Sequence, residues 1–335
     1  MKDLRAVVIG PAFFGYENDI VSELGRQGYE TTFVDERPSN TALMRAIARF
    51  RKRLIRRRIE SHFRGWQGRL ATVSLDIVLV IKAEVVPRWF LEDLRRRNPR
   101  ARFVFYTYDS IENSSNCLEV LDCFDVLLSF DRDDVAAYPG FSYLPLFYTE
   151  DFSPLPVGQS KKYQLSFVGT LHTDRYRFAK RVFKGRPDTF SFFFVQARWY
   201  FALVKYVTRE HASVPWSDVS FTPLSRSQIA ETFRNSRAVL DMQREGQRGL
   251  TMRTFEVLAS GSVLVTTNSA IESEPFYDPV RIIVVPSDVD ALNHAEVQVQ
   301  IDSLSEPVGV LAGLESYALS AWVRQIIELP GAEIV

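Results

Sequence analysis

The chain has 335 residues, enough for two domains that each bury a core. Lys and Arg total 41 and Asp and Glu total 41, so there is no net field to hold a polyanion, which argues against a nucleic-acid partner. A hydrophobic share of 46% with 24% charged residues is that of a soluble globular protein, and no run approaches the ~18 apolar residues of a membrane span.

The start, MKDLRAVVIG, reads as a strand and turn rather than a signal peptide. RAVVIG is a buried-strand run, ENDIVSELGRQG has helical periodicity, and YETTFVD is a second strand, so the opening is a β-α-β unit with a parallel pair. A long basic helical region follows, about residues 40 to 68. Next come a strand LDIVLVIK, a helix PRWFLEDLRRRN, a strand RFVFYTYD, a helix NCLEVLDCF, a strand DVLLSF, a helix from Asp131, and FSYLPLFY. Residues 149–162, TEDFSPLPVGQSKK, break the period and read as an interdomain linker.

The alternation then restarts. YQLSFVGT, TFSFFFV, VSFTPL, RAVLDM and RIIVVP read as strands; DRYRFAKRVF, RWYFALVKYV and SRSQIAETFRNS, capped by Ser225, read as helices. GLESYALSAWVRQIIEL is a last amphipathic segment. Two such runs predict two Rossmann-like domains with parallel sheets facing one cleft, with functional loops at the carboxyl ends of the strands. The expected division is 1–152, 153–313, and a final helix in 314–335 that crosses back to the amino-terminal domain.

RGLTMRTFEVLASGSVLVTTN, residues 248–268, carries the most chemistry. A helix beginning near Thr251 presents free N–H groups and a positive dipole end, which suit a phosphate. Gly249 and Leu250 lead into it, glycine permitting close backbone approach, and Arg253 can bind two phosphate oxygens. Glu256, one turn further, can accept both hydroxyls of a ribose diol. An ordinary amphipathic helix whose acid favours the dipole is the alternative. FVGTLHTDRY leaves a strand at its carboxyl end: Gly169 and Thr170 turn the chain, and His172 and Arg175 can neutralise a departing diphosphate as a metal otherwise would. Arg175 pairing with Asp174 on a solvated face is the other reading.

Asp109 follows the strand RFVFYTYD, where an open parallel sheet places its ligands, and is the candidate base for an acceptor hydroxyl; Glu84, after LDIVLVIK, is the second candidate. Asp109 could equally cap its turn. Gly10, Gly15 and Asp35 echo a dinucleotide fingerprint without its middle glycine. Phe13, Phe14, Gly15 and Tyr16 are read as a turn lining the acceptor side. Asp131 and Asp133 form an Asp-x-Asp, but Asp131 falls where acids cap helices, and the histidines show no ligand spacing, so no metal is expected. Cys117 and Cys123 match neither a zinc nor a redox pair and read as reduced thiols of a cytoplasmic protein.

GLTMRTFEVLASGSVLVTTN, with FVGTLHTDRY, VIGPAFFGYENDI, FYTYDSIENSSN and SFDRDDVAAYPGFSYLPLFY, resembles GT-B glycosyltransferases, nearest the CgeB-like and group-1 proteins of bacterial surface-polysaccharide and lipopolysaccharide biosynthesis. The resemblance implies a GT-B fold, a nucleoside-diphosphate sugar as donor substrate in the carboxyl-terminal domain, an acceptor in the amino-terminal domain, no cofactor, and a ribose held by Glu256. Many retaining members carry a second glutamate eight residues before the ribose acid; here Arg248 stands there and Glu245 lies eleven before. The implied acceptor is a glycan or a lipid-linked precursor. The basic segment 45–69, with Ile47, Phe50, Leu54 and Ile55 spaced helically, can lie on an anionic membrane at its cytoplasmic face; a solvated helix face is the plainer reading. A dinucleotide-dependent oxidoreductase and a non-catalytic sugar-nucleotide or glycan-binding protein are the rival functions.

Overall fold

In a computed structural model, which describes residues 4–12, 15–39, 52–156, 159–243, 249–286, 288, 294–303 and 309–328, the chain forms two parallel-sheet units. The first comprises Met1–Leu146 with Tyr317–Val335, the second Phe147–Ser316.

The first sheet holds β1 (Leu4–Gly10), β2 (Tyr29–Asp35), β3 (Ile77–Ile81), β4 (Arg102–Thr107), β5 (Val126–Ser129) and β6 (Phe141–Tyr143), ordered β2-β1-β3-β4-β5-β6. Every neighbouring pair is parallel. IVLVI of β3 is buried along its whole length, as a central parallel strand covered on both faces must be. The helices are α1 (Tyr16–Arg26), α2 (Arg56–Arg69), α3 (Arg88–Arg97) and α4 (Arg132–Ala137). After β1 the chain steps to β2 on one side and then to β3 on the other, so the order reverses between β1 and β3.

The second sheet holds β7 (Tyr163–Thr170), β8 (Thr189–Phe194), β9 (Val219–Ser220), β10 (Ser236–Asp241), β11 (Val263–Thr266) and β12 (Ile282–Val284), ordered β12-β11-β10-β7-β8-β9 and again parallel throughout. Its helices are α5 (Thr173–Phe183), α6 (Arg198–Leu203), α7 (Arg226–Arg234), α8 (Met252–Ala259) and α9 (His294–Ser303). Here the reversal falls between β7 and β10. Ser225 caps α7 in a reciprocal box with Gln228, as its sequence suggests. After α8 the chain turns at Gly261, whose φ is +69°; a Cβ there would lie 2.8 Å from Pro154 Cβ, so both conformation and space demand glycine.

The carboxyl-terminal helix α10 (Leu319–Glu328) belongs to the first unit. Trp322 is buried edge-on against Tyr106, with ring centroids 4.9 Å apart. Arg102 caps the helix end through the carbonyls of Ile326, at 2.7 Å, and Ile327.

Three local expectations change. The helix expected over 116–124 is instead two 3₁₀ segments, Glu112–Glu119 and Leu121–Cys123, with a kink at Ser114. The short polar side chains of ENSSN compete with helical backbone bonding. FSYLPLFY pairs as a strand only over Phe141–Tyr143, since Pro145 cannot extend a ladder. RWYFALVKYV begins as α6 but passes into a π-helical turn over Val204–Thr208. Among the described residues no helix is long and apolar enough to cross a membrane.

Candidate functional site

Open parallel sheets bind ligands outside the carboxyl ends of their strands, where the strand order reverses. In the second unit that point lies between β7, ending at Thr170, and β10, ending at Asp241. Asp241 is almost wholly buried and takes three donors. Arg253 Nη1 reaches Oδ1 at 3.1 Å, and the Thr251 and Thr254 hydroxyls reach Oδ2 at 3.2 and 3.5 Å. A buried carboxylate is tolerable only when so paired. The pairing fixes Arg253 at the sheet edge, and a Cβ on Gly169 would lie 3.9 Å from Arg253 Nη2 and 3.0 Å from the Phe167 ring. Glycine at 169 therefore gives the Phe167 ring its room, with the guanidinium at ordinary contact distance.

Thr251 occupies the N-cap position of α8, yet its hydroxyl goes to Asp241 and makes no capping bond. The first N–H groups of α8 thus receive no side-chain cap from it, which leaves that helix end suited to an anion. Gly249 and Leu250 are buried just before it, and Glu256 is buried in its second turn. His172 stands at the N-cap position of α5 and Arg175 in its first turn, directly after β7. Thr173 ties that turn to the 210–211 loop through the Glu210 carbonyl at 2.8 Å and His211 Nδ1 at 3.0 Å. Gly169, Thr251 and Arg253 are thus brought together around Asp241; His172 and Arg175 begin the helix leaving the same strand end.

Sequence reasoning passed over Asp241 and a second pair. Gln243 follows β10; its N–H donates to Thr267 Oγ1 at 3.2 Å, and its side-chain oxygen accepts from Asn268 Nδ2 at 2.9 Å. Gln243 is 9% exposed and its Nε2 has no partner among the described residues. An acid or amide closing a buried strand, as in RAVLDMQ, is the signal that could have found them. Glu245 and Arg248 lie outside the described residues.

In the first unit the strand order reverses between β1 and β3. Lys82 and Ala83, just past β3, hold φ of +74° and +49°, left-handed values that cost non-glycine residues about 1 kcal/mol or more each. Strain of this kind gathers at functional sites. Lys82 Nζ pairs with Asp109 Oδ2 at 3.2 Å. Glu84, nearly buried, pairs with Arg37 at 2.6 Å. Glu36 is fully buried, with one oxygen 3.4 Å from the Val85 N–H and the other, Oε1, without a partner among the described residues. Desolvation, with the Glu84 charge adding to it, pushes Glu36 up to about 8. Burial likewise raises the Tyr108 phenol. Asp109 and Glu84 therefore share one charged cluster, in which Asp109 is the more exposed carboxylate. Gly15 is the N-cap of α1 with φ +84°, and Tyr16 begins that helix. Phe13 and Phe14 lie outside the described residues.

Asp131 accepts the Asp133 N–H at 3.0 Å as the cap of α4. Asp35 accepts the Arg37 N–H at 2.9 Å, a turn-closing bond. Among the described residues no three His, Cys, Asp or Glu gather as a metal site would require. In the basic segment, Ile47 and Phe50 lie outside the described residues. Ile55 joins Ile59 and Phe63 in the first core, while Leu54 is exposed. Arg64 and Arg69 stack on Trp89 and Trp66 at 4.4 and 4.8 Å.

Residues 195–305 match a family model described as glycosyl transferase-like. No curated protein sequence matches the chain. Solved structures align over nearly the full length of the chain at low identity. Sucrose-phosphate synthase from Thermosynechococcus elongatus is 10% identical, with a TM-score of 0.63 over 97% of this chain and 98% of that one. HepE from Anabaena, solved with UDP and glucose, gives the same identity, TM-score and coverage. An α,α-trehalose-phosphate synthase (UDP-forming) from Burkholderia xenovorans, solved with glucose-6-phosphate, is 15% identical, with a TM-score of 0.61 over 96% and 99%. The fold is GT-B, with two Rossmann-like domains. The glycosyl transferase-like match over residues 195–305, within the second unit, supports an enzyme of glycosyl transfer.

Proposed function

We propose that the chain transfers a sugar from a nucleoside-diphosphate sugar, without a metal, to a surface-polysaccharide or lipid-linked glycan acceptor. The observation that carries the donor half is the meeting of Arg253, Gly169 and the amino end of α8 at the reversal between β7 and β10. In this reading the 249–251 backbone and Arg253 hold the diphosphate, and Arg175 with His172 neutralises it as it leaves. Such cations supply what a metal supplies elsewhere. Glu256 takes the ribose. HepE was solved with UDP-glucose as well as with UDP, which makes uridine the first base to try.

Asp109 is the proposed base for the acceptor hydroxyl. Glu84 ranks second because Arg37 holds it and little of it reaches solvent. Gly15 and Tyr16, with Phe13 and Phe14, are assigned to the acceptor side. The resemblance of the quoted sequence segments to CgeB-like and group-1 proteins supports a cytoplasmic enzyme of surface-glycan assembly, with the 45–69 segment as a peripheral membrane contact.

The experiment is a thermal-shift screen of UDP, GDP, dTDP and their sugars beside NAD and NADP. A ligand that binds the folded chain raises its melting temperature, and the strongest shift is expected from a nucleoside-diphosphate sugar. A shift with NAD or NADP and none with any sugar nucleotide overturns the reading. Asp109→Asn should lower kcat by ~10²-fold or more with donor affinity retained; unchanged turnover removes Asp109 as the base.

A further inference from the structure

Half of the large apolar side chains that the described residues expose lie within one short stretch of the second unit: Trp199, Tyr200, Leu203, Tyr206, Val207 and Trp216. Trp199 is 72% exposed, Val207 70% and Tyr206 62%. Scattered single residues of this kind are ordinary, but here Trp199 lies edge-on to Tyr200 with centroids 6.0 Å apart and Trp216 Nε1 donates to the Tyr206 hydroxyl at 3.1 Å, and exposed apolar groups that cluster mark contact surfaces. The stretch is held firmly. Phe201, fully buried, packs edge-on to Trp216 at 4.8 Å, and Val204 is buried beside it. Lys205 Nζ bonds the carbonyls of Ala212 and Val214, both at 2.7 Å. Along α6 and the π turn, Phe201 and Val204 face the core while 199, 203, 206 and 207 face out, so the outer apolar face is supported by a packed inner one.

Residues 198–209, RWYFALVKYVTR, contain three cations and no acid. Glu210 follows, and the nearby Asp218 is paired with Lys180 at 2.6 Å. Tryptophan and tyrosine flanked by Arg and Lys are the side chains that settle at the level of lipid headgroups. A second copy packed on the same face would bring the exposed Arg198 and Arg209 against a like-charged patch, whereas an anionic bilayer supplies the opposite sign. We infer that the 198–216 face of the second unit is a membrane-docking surface that seats its aromatic side chains among the headgroups of an anionic bilayer. It is distinct from the 45–69 segment and stands whether or not the sugar-transfer reading does.

The test is flotation of the full chain with vesicles of phosphatidylcholine and phosphatidylglycerol in equal parts, or of phosphatidylcholine alone. Binding is expected to the anionic vesicles and to weaken with salt. Trp199→Ser with Val207→Ser should lower it by about tenfold or more, and Arg198→Ala with Arg209→Ala should lower it on anionic vesicles in particular. Val280→Ser, at an exposed apolar site elsewhere in the unit, should leave it unchanged. Thermal unfolding of each variant separates lost binding from lost folding. No flotation of the parent chain overturns the inference. So does binding abolished by Arg56→Ala, Arg57→Ala and Arg58→Ala while the Trp199/Val207 variant still floats. Sedimentation showing a dimer that the same variant dissolves, without flotation, would assign the face to a second copy and overturn it as well.

Discussion

The two sheets treat buried acids in opposite ways at the points where their strand order reverses. In the second, a single carboxylate, Asp241, is met by a guanidinium and two hydroxyls. In the first, Glu36 and Glu84 crowd around one guanidinium, which gives its close contact to Glu84. The satisfied acid positions a cation beside a helix end. The crowded pair cannot both ionise cheaply, so the more deeply buried member holds a proton. The arrangement in the second sheet suits holding an anion, and that in the first suits handling hydroxyls and protons.

The contrast can be broken by substitution. Asp241→Ala has the largest expected effect. It strands Arg253 and two hydroxyls and should cost about 3 kcal/mol in chemical denaturation, towards the lower end for a broken buried pair because Arg253 keeps some water. A loss near zero would mean that Asp241 does not organise the edge. Glu256→Ala should weaken nucleotide binding by ~1.5–3 kcal/mol with the fold intact, and calorimetry with equal affinity would remove Glu256 from the ribose.

Glu36→Gln sharpens the other side. With its carboxyl raised from 4.5 to about 8, the folded chain keeps a proton that the unfolded chain has lost between those values. The associated stability is whole below the lower value and drains away as pH rises through the upper one, at up to about 1.4 kcal/mol per pH unit. The amide should flatten that slope in melts across the range, and an unchanged slope would place the proton elsewhere. Arg5→Ala, which breaks an exposed 2.7 Å pair with Glu30 at the amino ends of β1 and β2, should cost only ~0.2–1 kcal/mol. A larger loss would show that the carboxyl edges are not where the electrostatics matter.

Much of this architecture is legible in the chain itself. LDIVLVIK and RAVLDM are apolar runs of strand length between helical periods, and burial on both faces leaves them little else to be. The 248–268 stretch announces a helix start through Gly249, Thr251 and Arg253, and α8 begins there with Thr251 at its N-cap position. What stays hidden depends on register and backbone. In VDERP, nothing local tells whether Asp35 or Glu36 turns inward; the ladder places Asp35 at a surface turn and Glu36 in the core. The left-handed Lys82 and Ala83 carry no glycine or asparagine signal. RWYFALVKYV has the composition of a core helix, and its outward aromatics become visible only once the sheet has taken Phe201 and Val204.

Trp322 fills the first unit from a helix that follows the whole of the second along the chain. During synthesis, Tyr106 must therefore wait beside an open slot while the whole second unit, Phe147–Ser316, leaves the ribosome. The unit begun first is sealed last, and a nascent chain halted before Tyr317 carries an unfinished amino-terminal core into the reach of chaperones and proteases.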